Sequence, residues 1–442
     1  MEQAIGPGIH GRISAMMRRG LLAALLAIFG MSANAAGLME FYSLALGHDP
    51  AYRAAMEERD AGLEERAIGR AALLPRLALQ YQTGRNHSEV TQPTFLGPMT
   101  TDRSYRSYAA TLSLQQPLFD YDAVSRYRYG VAQAQYAEKH FDGRTQEVAV
   151  RVAEAYLDAL YTIDQIDWVR AQKRAYAEQM VLNQHRLRAG EGTRTDMLET
   201  QARYDLAQAQ EIEAQDNLDA ALRKLAAMVG RPVHAEELAP LAGEVAPRPL
   251  DPADFGAWRD LALSRNPELA ALNHALDAAR QRIEQARAGH LPKVALYATA
   301  GRQKSNSEST YDQKYVTNSV GVQVSIPLFE GGGASAALRQ AVDNHERLRY
   351  ENDAKLNETL NALRQQFNLH TSSTAKIRAY QLAVESAREL TTAMKRSVAG
   401  GERVNADVLD AEQQYYDALR NLAQARYAYL LSALRLKFHA GT

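Results

Sequence analysis

The sequence predicts a mixed α and β membrane protein, in which a few two-faced strands join a barrel shared between chains and continue into a long coiled-coil stalk. Three observations carry this prediction. Residues 316–329 alternate apolar Val316, Val320, Val322, Val324 and Ile326 with polar Thr317, Ser319, Gln323 and Ser325, the period-two pattern of a strand with one apolar and one polar side. Pro327 and Gly331-Gly332-Gly333 then lead directly into a helical pattern of about 65 residues, some 100 Å long at 1.5 Å per residue. The same plan also occurs earlier in the chain, so the molecule is built from a duplicated unit.

In chain order, the first segment reads as a secretory leader. Arg18 and Arg19 form a basic start, residues 21–29 an apolar run, and Ala33-Asn34-Ala35 a cleavage site, so residues 1–35 are expected to be removed. Met16 or Met17 fits the start of such a leader better than Met1 does. Its removal takes away three arginines and one glutamate, leaving 48 basic and 51 acidic residues and a net charge of −3. That balance gives no argument for nucleic acid. The chain has no cysteine, which excludes disulfides, a cysteine metal site and a lipid-anchored N-terminus. Beyond the leader no apolar run is long enough for a transmembrane helix, so membrane residence must use strands.

Residues 38–70 read as one helix, stopped by Leu74-Pro75. A strand follows near 76–84, then a polar loop over 85–104 carrying Pro93, Gly97 and Pro98, then a second strand near 105–117. Residues 123–187 are helical without a proline, Gly190-Glu191-Gly192 is a turn, and 196–228 is helical again. In that last helix Leu218, Leu222, Leu225 and Val229 have the 4-3-4 spacing of a coiled-coil seam. Residues 231–254 are proline-rich and read as the linker between a first repeat, 36–230, and a second, 255–442, with strands near 293–302 and 315–327. Asn266-Pro267 answers Asp49-Pro50, Leu291-Pro292 answers Leu74-Pro75, and Gly301-Arg302 answers Gly84-Arg85, all at an offset of 217. Pro327-Leu328-Phe329 answers Pro117-Leu118-Phe119 at 210, while Asp407 and Gly441 answer Asp196 and Gly230 at 211.

Duplication gives four strands per chain. Four strands cannot close a barrel, and an open edge in lipid leaves peptide groups unpaired at several kcal/mol each. Membrane barrels begin at eight strands, so two copies would supply eight and three would supply twelve. A soluble coiled-coil scaffold capped by two hairpins is the competing reading, against which stand the leader and the apolar strand faces. No catalytic constellation, metal-ligand spacing or cofactor motif is present. The eleven histidines are scattered, and Gly331-Gly332-Gly333 lacks the Gly-Lys-Ser/Thr ending of a phosphate loop. A non-enzymatic protein is expected.

Several stretches together resemble the TolC family of outer-membrane export channels: Asn266-Pro267, Leu291-Pro292, Gln116-Pro117-Leu118-Phe119, Arg151-Val-Ala-Glu-Ala-Tyr156, Gly192-Thr-Arg-Thr-Asp196-Met-Leu198 and Asp407-Val-Leu-Asp-Ala411. The resemblance spans the mature chain, and its wording is similar to the branch that serves type I protein secretion. It implies a homotrimer with a twelve-stranded barrel in outer-membrane lipid and a helical tunnel across the periplasm. It also implies a periplasmic adaptor and an inner-membrane transporter of the ABC class as partners. Small-molecule efflux with a proton-driven pump is the second reading.

The resemblance further implies a periplasmic gate at two helical turns. Asp407 and Asp410, at i and i+3 on one helix face, match an acidic ring at the entrance. Thr195, Asp196 and Arg403 match residues that tie neighbouring helices shut. Gly190, Gly192, Gly400 and Gly401 form the turns that would meet the adaptor. The simpler alternative is that Asp196 and Asp407 cap helices. Val398 stands where gated members carry a tyrosine, so one tie of the closed state is missing or replaced.

Overall fold

A computed structural model of the chain describes residues 37–241, 247–305 and 310–442, so the predicted leader lies outside the described residues. The elements are α1 (Leu38–His48), α2 (Pro50–Ala71), β1 (Arg76–Thr94), β2 (Gly97–Phe119), α3 (Tyr121–Ala189) and α4 (Arg194–Val229). Then follow α5 (Phe255–Arg265), α6 (Pro267–Arg287), β3 (Lys293–Lys304), β4 (Lys314–Ser325), α7 (Gly333–Ala399) and α8 (Asn405–Ala440). They sort into two compact units. One comprises residues up to Glu57 with 140–270 and 354–442, the other 58–139 with 271–353. Each unit draws on both halves of the chain.

The first unit contains the duplicated core. Phe41 and Ala45 of α1 pack with Tyr156 of α3 and Leu225 and Val229 of α4, all buried, and the rings of Phe41 and Tyr156 lie 5.5 Å apart. In the second half Trp258 and Ala262 of α5 pack with Leu363 of α7 and Leu436 and Ala440 of α8. Phe41 and Ala45 map onto Trp258 and Ala262 at 217, and Leu225 and Val229 map onto Leu436 and Ala440 at 211. The sequence offsets are thus offsets between equivalent core positions. Gly230 and Gly441 end α4 and α8 in the left-handed conformation, φ 74° and 72°. A Cβ at Gly230 would fall 2.9 Å from His48, and one at Gly441 would fall 2.4 Å from the Arg265 carbonyl oxygen. Glycine is required at both for the turn and for the close approach of the preceding short helix.

Two expectations need correction here. The single helix over 38–70 is two helices, α1 and α2, broken at Asp49. The residue before a proline is pushed out of the helical region, and Asp49 is extended at φ −60°, ψ 116°. Its carboxylate accepts from the Ala51 amide at 3.1 Å and from the Arg151 guanidinium. Asn266 makes the same break between α5 and α6, its Oδ1 accepting from the Glu268 and Leu269 amides at 2.9 and 3.1 Å. The segment after α4, expected to link the repeats, is packed against the core. Val233 and Leu238 are buried in the first core, Tyr156 donates to the Ala239 carbonyl at 2.9 Å, and Trp258 donates to the Pro252 carbonyl at 2.7 Å.

The second unit holds one antiparallel sheet in the order β1-β2-β3-β4. Leu77, Leu79, Leu112, Leu114, Leu296, Val320, Val322 and Val324 share one face by the ladder register. Gln80, Gln82, Thr111, Ser113, Thr299, Ser319 and Gln323 share the other. The apolar face is bare within the chain, with Leu79 at 74% and Val320 at 77% exposure. The predicted loop over 85–104 is also corrected: β1 and β2 continue through it in unbroken register to Thr94↔Gly97. Pro93 and Pro98 oppose one another beside the turn, at the end of the ladder where a missing amide donor costs least. β3 pairs with β2 only as far as Lys304↔Tyr108, so the first hairpin overshoots the second by eleven register pairs.

Candidate functional site

The site resemblance singled out lies in the first unit, where α3 turns into α4 and α7 into α8. The two turns are built alike. Gly190 and Gly401, again 211 apart, adopt φ 78° and 77°. The Glu191 amide donates to the Arg186 carbonyl at 2.9 Å, and the Glu402 amide donates to the Ser397 carbonyl at 3.0 Å. Carbonyls left over at each helix end are thereby satisfied by the chain that leaves it. Gly192 donates to the Arg186 carbonyl as well, and Gly400 to the Arg396 carbonyl at 3.0 Å.

Asp196 acts locally. Thr193 is the N-cap of α4, its Oγ1 accepting from the Asp196 amide at 3.1 Å, and the Asp196 carboxylate accepts from the Thr193 amide at 2.9 Å. This is a reciprocal capping box. Asp407 stands in the same position on α8, its carboxylate 3.4 Å from the Val404 amide and 3.8 Å from Arg403. Thr195 is exposed on the first turn of α4. Within one chain, then, Arg403, in the turn before α8, reaches Asp407 on the first turn of that helix rather than Thr195 or Asp196. Asp410 makes the longer connection: Arg203 of α4 donates to its carboxylate at 2.8 Å, an ion pair across 207 residues of sequence.

Beneath these surface charges lies a buried polar cluster that the sequence reading missed. Gln179 and Asn183 of α3, Thr200 of α4 and Asn405 of α8 are all buried. Gln179 Nε2 donates to Asn405 Oδ1 at 2.7 Å, and Asn183 Nδ2 donates to the same oxygen at 3.0 Å. Asn405 Nδ2 and Asn183 Nδ2 donate to Thr200 Oγ1 at 3.1 and 2.9 Å, and Thr200 donates to the Asp196 carbonyl at 2.8 Å. Three helices are joined without a single charge. One and two turns further along α3, Tyr176 and Gln172 meet Gln413 of α8, with Gln172 Nε2 3.2 Å from its Oε1. Only the i, i+4 spacing of Gln179 and Asn183 was readable beforehand, and that spacing is equally that of a solvated face.

Two further ties hold this region. Lys395 of α7 pairs at 2.7 Å with Glu412 of α8, whose side chain is 3% exposed. On the other side Arg170 and Lys173 of α3 both bond Glu211 of α4, and the Lys173 hydrogen bond, followed by that of Arg170, holds the Glu211 carboxyl below the usual range. Burial pushes the Tyr416 phenol up to about 12, so it stays neutral. The arrangement contains charge, cross-helix ties and turns; among the described residues no three carboxylates or imidazoles converge as a metal site.

A family model described as outer membrane efflux protein matches residues 41–231 and 258–442. The alkaline protease secretion protein AprF of Pseudomonas aeruginosa is 54% identical over 421 residues, covering 95% of this chain and 88% of that protein. The proteases secretion protein PrtF of Dickeya chrysanthemi is 44% identical over 423 residues, covering 96% and 92%. The crystal structure of the outer membrane protein VceC of Vibrio cholerae superposes with a TM-score of 0.78 at 20% identity, covering 91% of this chain and 96% of that one.

Proposed function

Since the chain belongs to the outer membrane efflux protein family, with its TolC-like fold, we propose that it is the outer-membrane exit duct of a type I protein secretion system. The observation that carries this reading is the 54% identity, over 95% of the chain, to a protease secretion protein. The protein is a passive conduit, and energy comes from an inner-membrane transporter of the ABC class reached through a periplasmic adaptor. The sheet supports the reading physically. Its edges β1 and β4 have no partner among the described residues, and closure in lipid needs them paired. Three copies, with β4 of each beside β1 of the next, complete twelve strands.

The turns at Gly190–Gly192 and Gly400–Gly401 meet the adaptor, and Asp407 with Asp410 line the entrance. The test is deletion of the gene in its host with the proteins released into the medium followed. Release should stop and return with the wild-type chain. A bulky Gly401 variant should not restore it although the assembly remains in the outer membrane. Unchanged release in the deletion strain, with altered susceptibility to small toxic compounds instead, would replace secretion by efflux.

A further inference from the structure

The apolar face of the sheet ends in a cluster of cations. By register Arg85 lies directly opposite Arg106, and Lys304 directly opposite Lys314, all four on the face that carries Leu79, Leu112 and Val322. Arg302 stands one step inside Lys304 on that face. Tyr81 and Tyr108 lie between the apolar residues and the arginines. Level with these cations the opposite face carries Gly84, Asn86, Ser107, Gln303 and Tyr315, and its nearest charge further out, Arg103, lies over the Tyr311 ring. A charge placed only for solubility has no reason to choose the apolar side.

Like charges directly across a ladder destabilise the pair. Lys304 is relieved in part by Asp312, 3.0 Å away. Arg85, Arg106, Arg302 and Lys314 have no carboxylate partner among the described residues. The acidic pair Glu89↔Asp102 is on the same face but four residues further out, about 13 Å along the strand. The position along the strand also fits a lipid boundary. Val324 to Lys314 is about 34 Å of strand, which at a barrel tilt near 40° rises about 26 Å, close to the height of the apolar band of an outer-membrane barrel. The tyrosines stand where aromatic girdles stand.

We propose that Arg85 with Arg106 and Lys304 with Lys314 form two sites for phosphate groups of outer-leaflet lipid headgroups. The proposal rests on the reading that this sheet face meets lipid. Each pair offers two cationic donors one strand spacing apart, and the arginines add planar donor sets suited to phosphate oxygens. The phosphate removes the repulsion within the pair and fixes the height of the barrel in the membrane.

The test uses the full-length assembly in detergent, with native mass spectrometry to count bound lipid A. Wild type should retain lipid A, and should bind its dephosphorylated form much more weakly. In R85Q/R106Q/K304Q/K314Q retention should fall at least about tenfold, since each cation near an anionic surface is worth roughly fivefold. R223Q/K224Q, which removes two cations from exposed α4, should bind as wild type does. If the quadruple variant does not assemble, R85Q/R106Q and K304Q/K314Q are read separately against the same expectation. Equal retention by the variants, or equal binding of dephosphorylated lipid A, overturns the proposal. So does displacement by inorganic phosphate at matched concentration, which would mark an adventitious ion only. Planar-bilayer conductance of the same wild-type sample tests the channel reading by itself, so its failure is distinguishable from loss of the lipid site.

Discussion

Asn405 stands where three helices of one chain meet, accepting from Gln179 and Asn183 and donating to Thr200. Replacing it by leucine takes one acceptor from each of two buried amides, leaving Gln179 only the longer 3.3 Å bond to Asn183 Oδ1 and Asn183 its bonds to Thr200 and the Asp196 carbonyl, at about 1–3 kcal/mol for a buried donor left poorly satisfied. The expected outcome for Asn405→Leu is a lower unfolding midpoint and looser packing at the helical turns, measured by urea titration and by hydrogen exchange at α3. A midpoint equal to wild type would mean that water enters and satisfies the amides. His370 gives a second prediction. It is buried, stacked on Tyr429 at 4.4 Å between ring centroids, with Nδ1 3.2 Å from Ser432 Oγ. Burial holds its pKa below the ordinary histidine value, so folding favours the neutral ring. This contribution is complete above an unfolded pKa of about 6.5 and is lost as pH falls below it. Urea midpoints about one pH unit either side of that value should differ more in wild type than in His370→Gln. Some slope should remain in the variant, because burial lowers His439 in the same direction.

At the scale of the strand, neighbouring residues of β4 have opposite surroundings. Val322 is on the bare apolar face and Gln323 on the polar one. On the barrel proposal Val322→Arg should cost about 2–4 kcal/mol near the bilayer midplane, whereas Gln323→Arg should be tolerated. Yield of the outer-membrane assembly measures both, and equal yields would overturn the face assignment. The alternation that supports this was legible in the sequence because a strand repeats every two residues. The length of the first hairpin was not, since Pro93, Gly97 and Pro98 look like a loop until Pro93 is seen opposite Pro98 across a two-residue turn. The α1–α2 break is signalled only by Asp49-Pro50, and the high helix propensity on both sides masks it.

For the whole molecule, the duplication was the most legible feature. Its offsets of 217 and 211 reappear as paired core positions, Phe41 with Trp258 and Leu225 with Leu436. Contacts between distant segments were not legible: Arg203 with Asp410 and Lys395 with Glu412 obey no local period. The first of these changes what the proposed entrance should do. Three chains would bring three copies each of Asp407 and Asp410 together, favouring cations and inviting block by multivalent ones. Arg203 neutralises Asp410, so Arg203→Ala should lower the cation concentration needed for block, and Asp407→Ala with Asp410→Ala should abolish it. Single-channel conductance reads all three proteins. Block at the wild-type concentration in the double variant would leave Asp407 with its role at the start of α8 alone.

The overshoot of the first hairpin makes the outside of the molecule unequal around its rim. Beyond the level of Lys304 and Tyr108 the ladder of β1 and β2 continues without pairing to β3, touched by Tyr311 at Tyr105 and Arg103, and ends in Phe95 and Leu96, both fully exposed. If the sheet end away from the helices faces the medium, each chain carries a slender two-stranded handle above the cell surface. Its backbone serves only itself, so a foreign peptide spliced between Phe95 and Leu96 would interrupt no pairing on which the barrel depends. The same handle would be the first part of the protein met by an antibody or a virus approaching the intact cell.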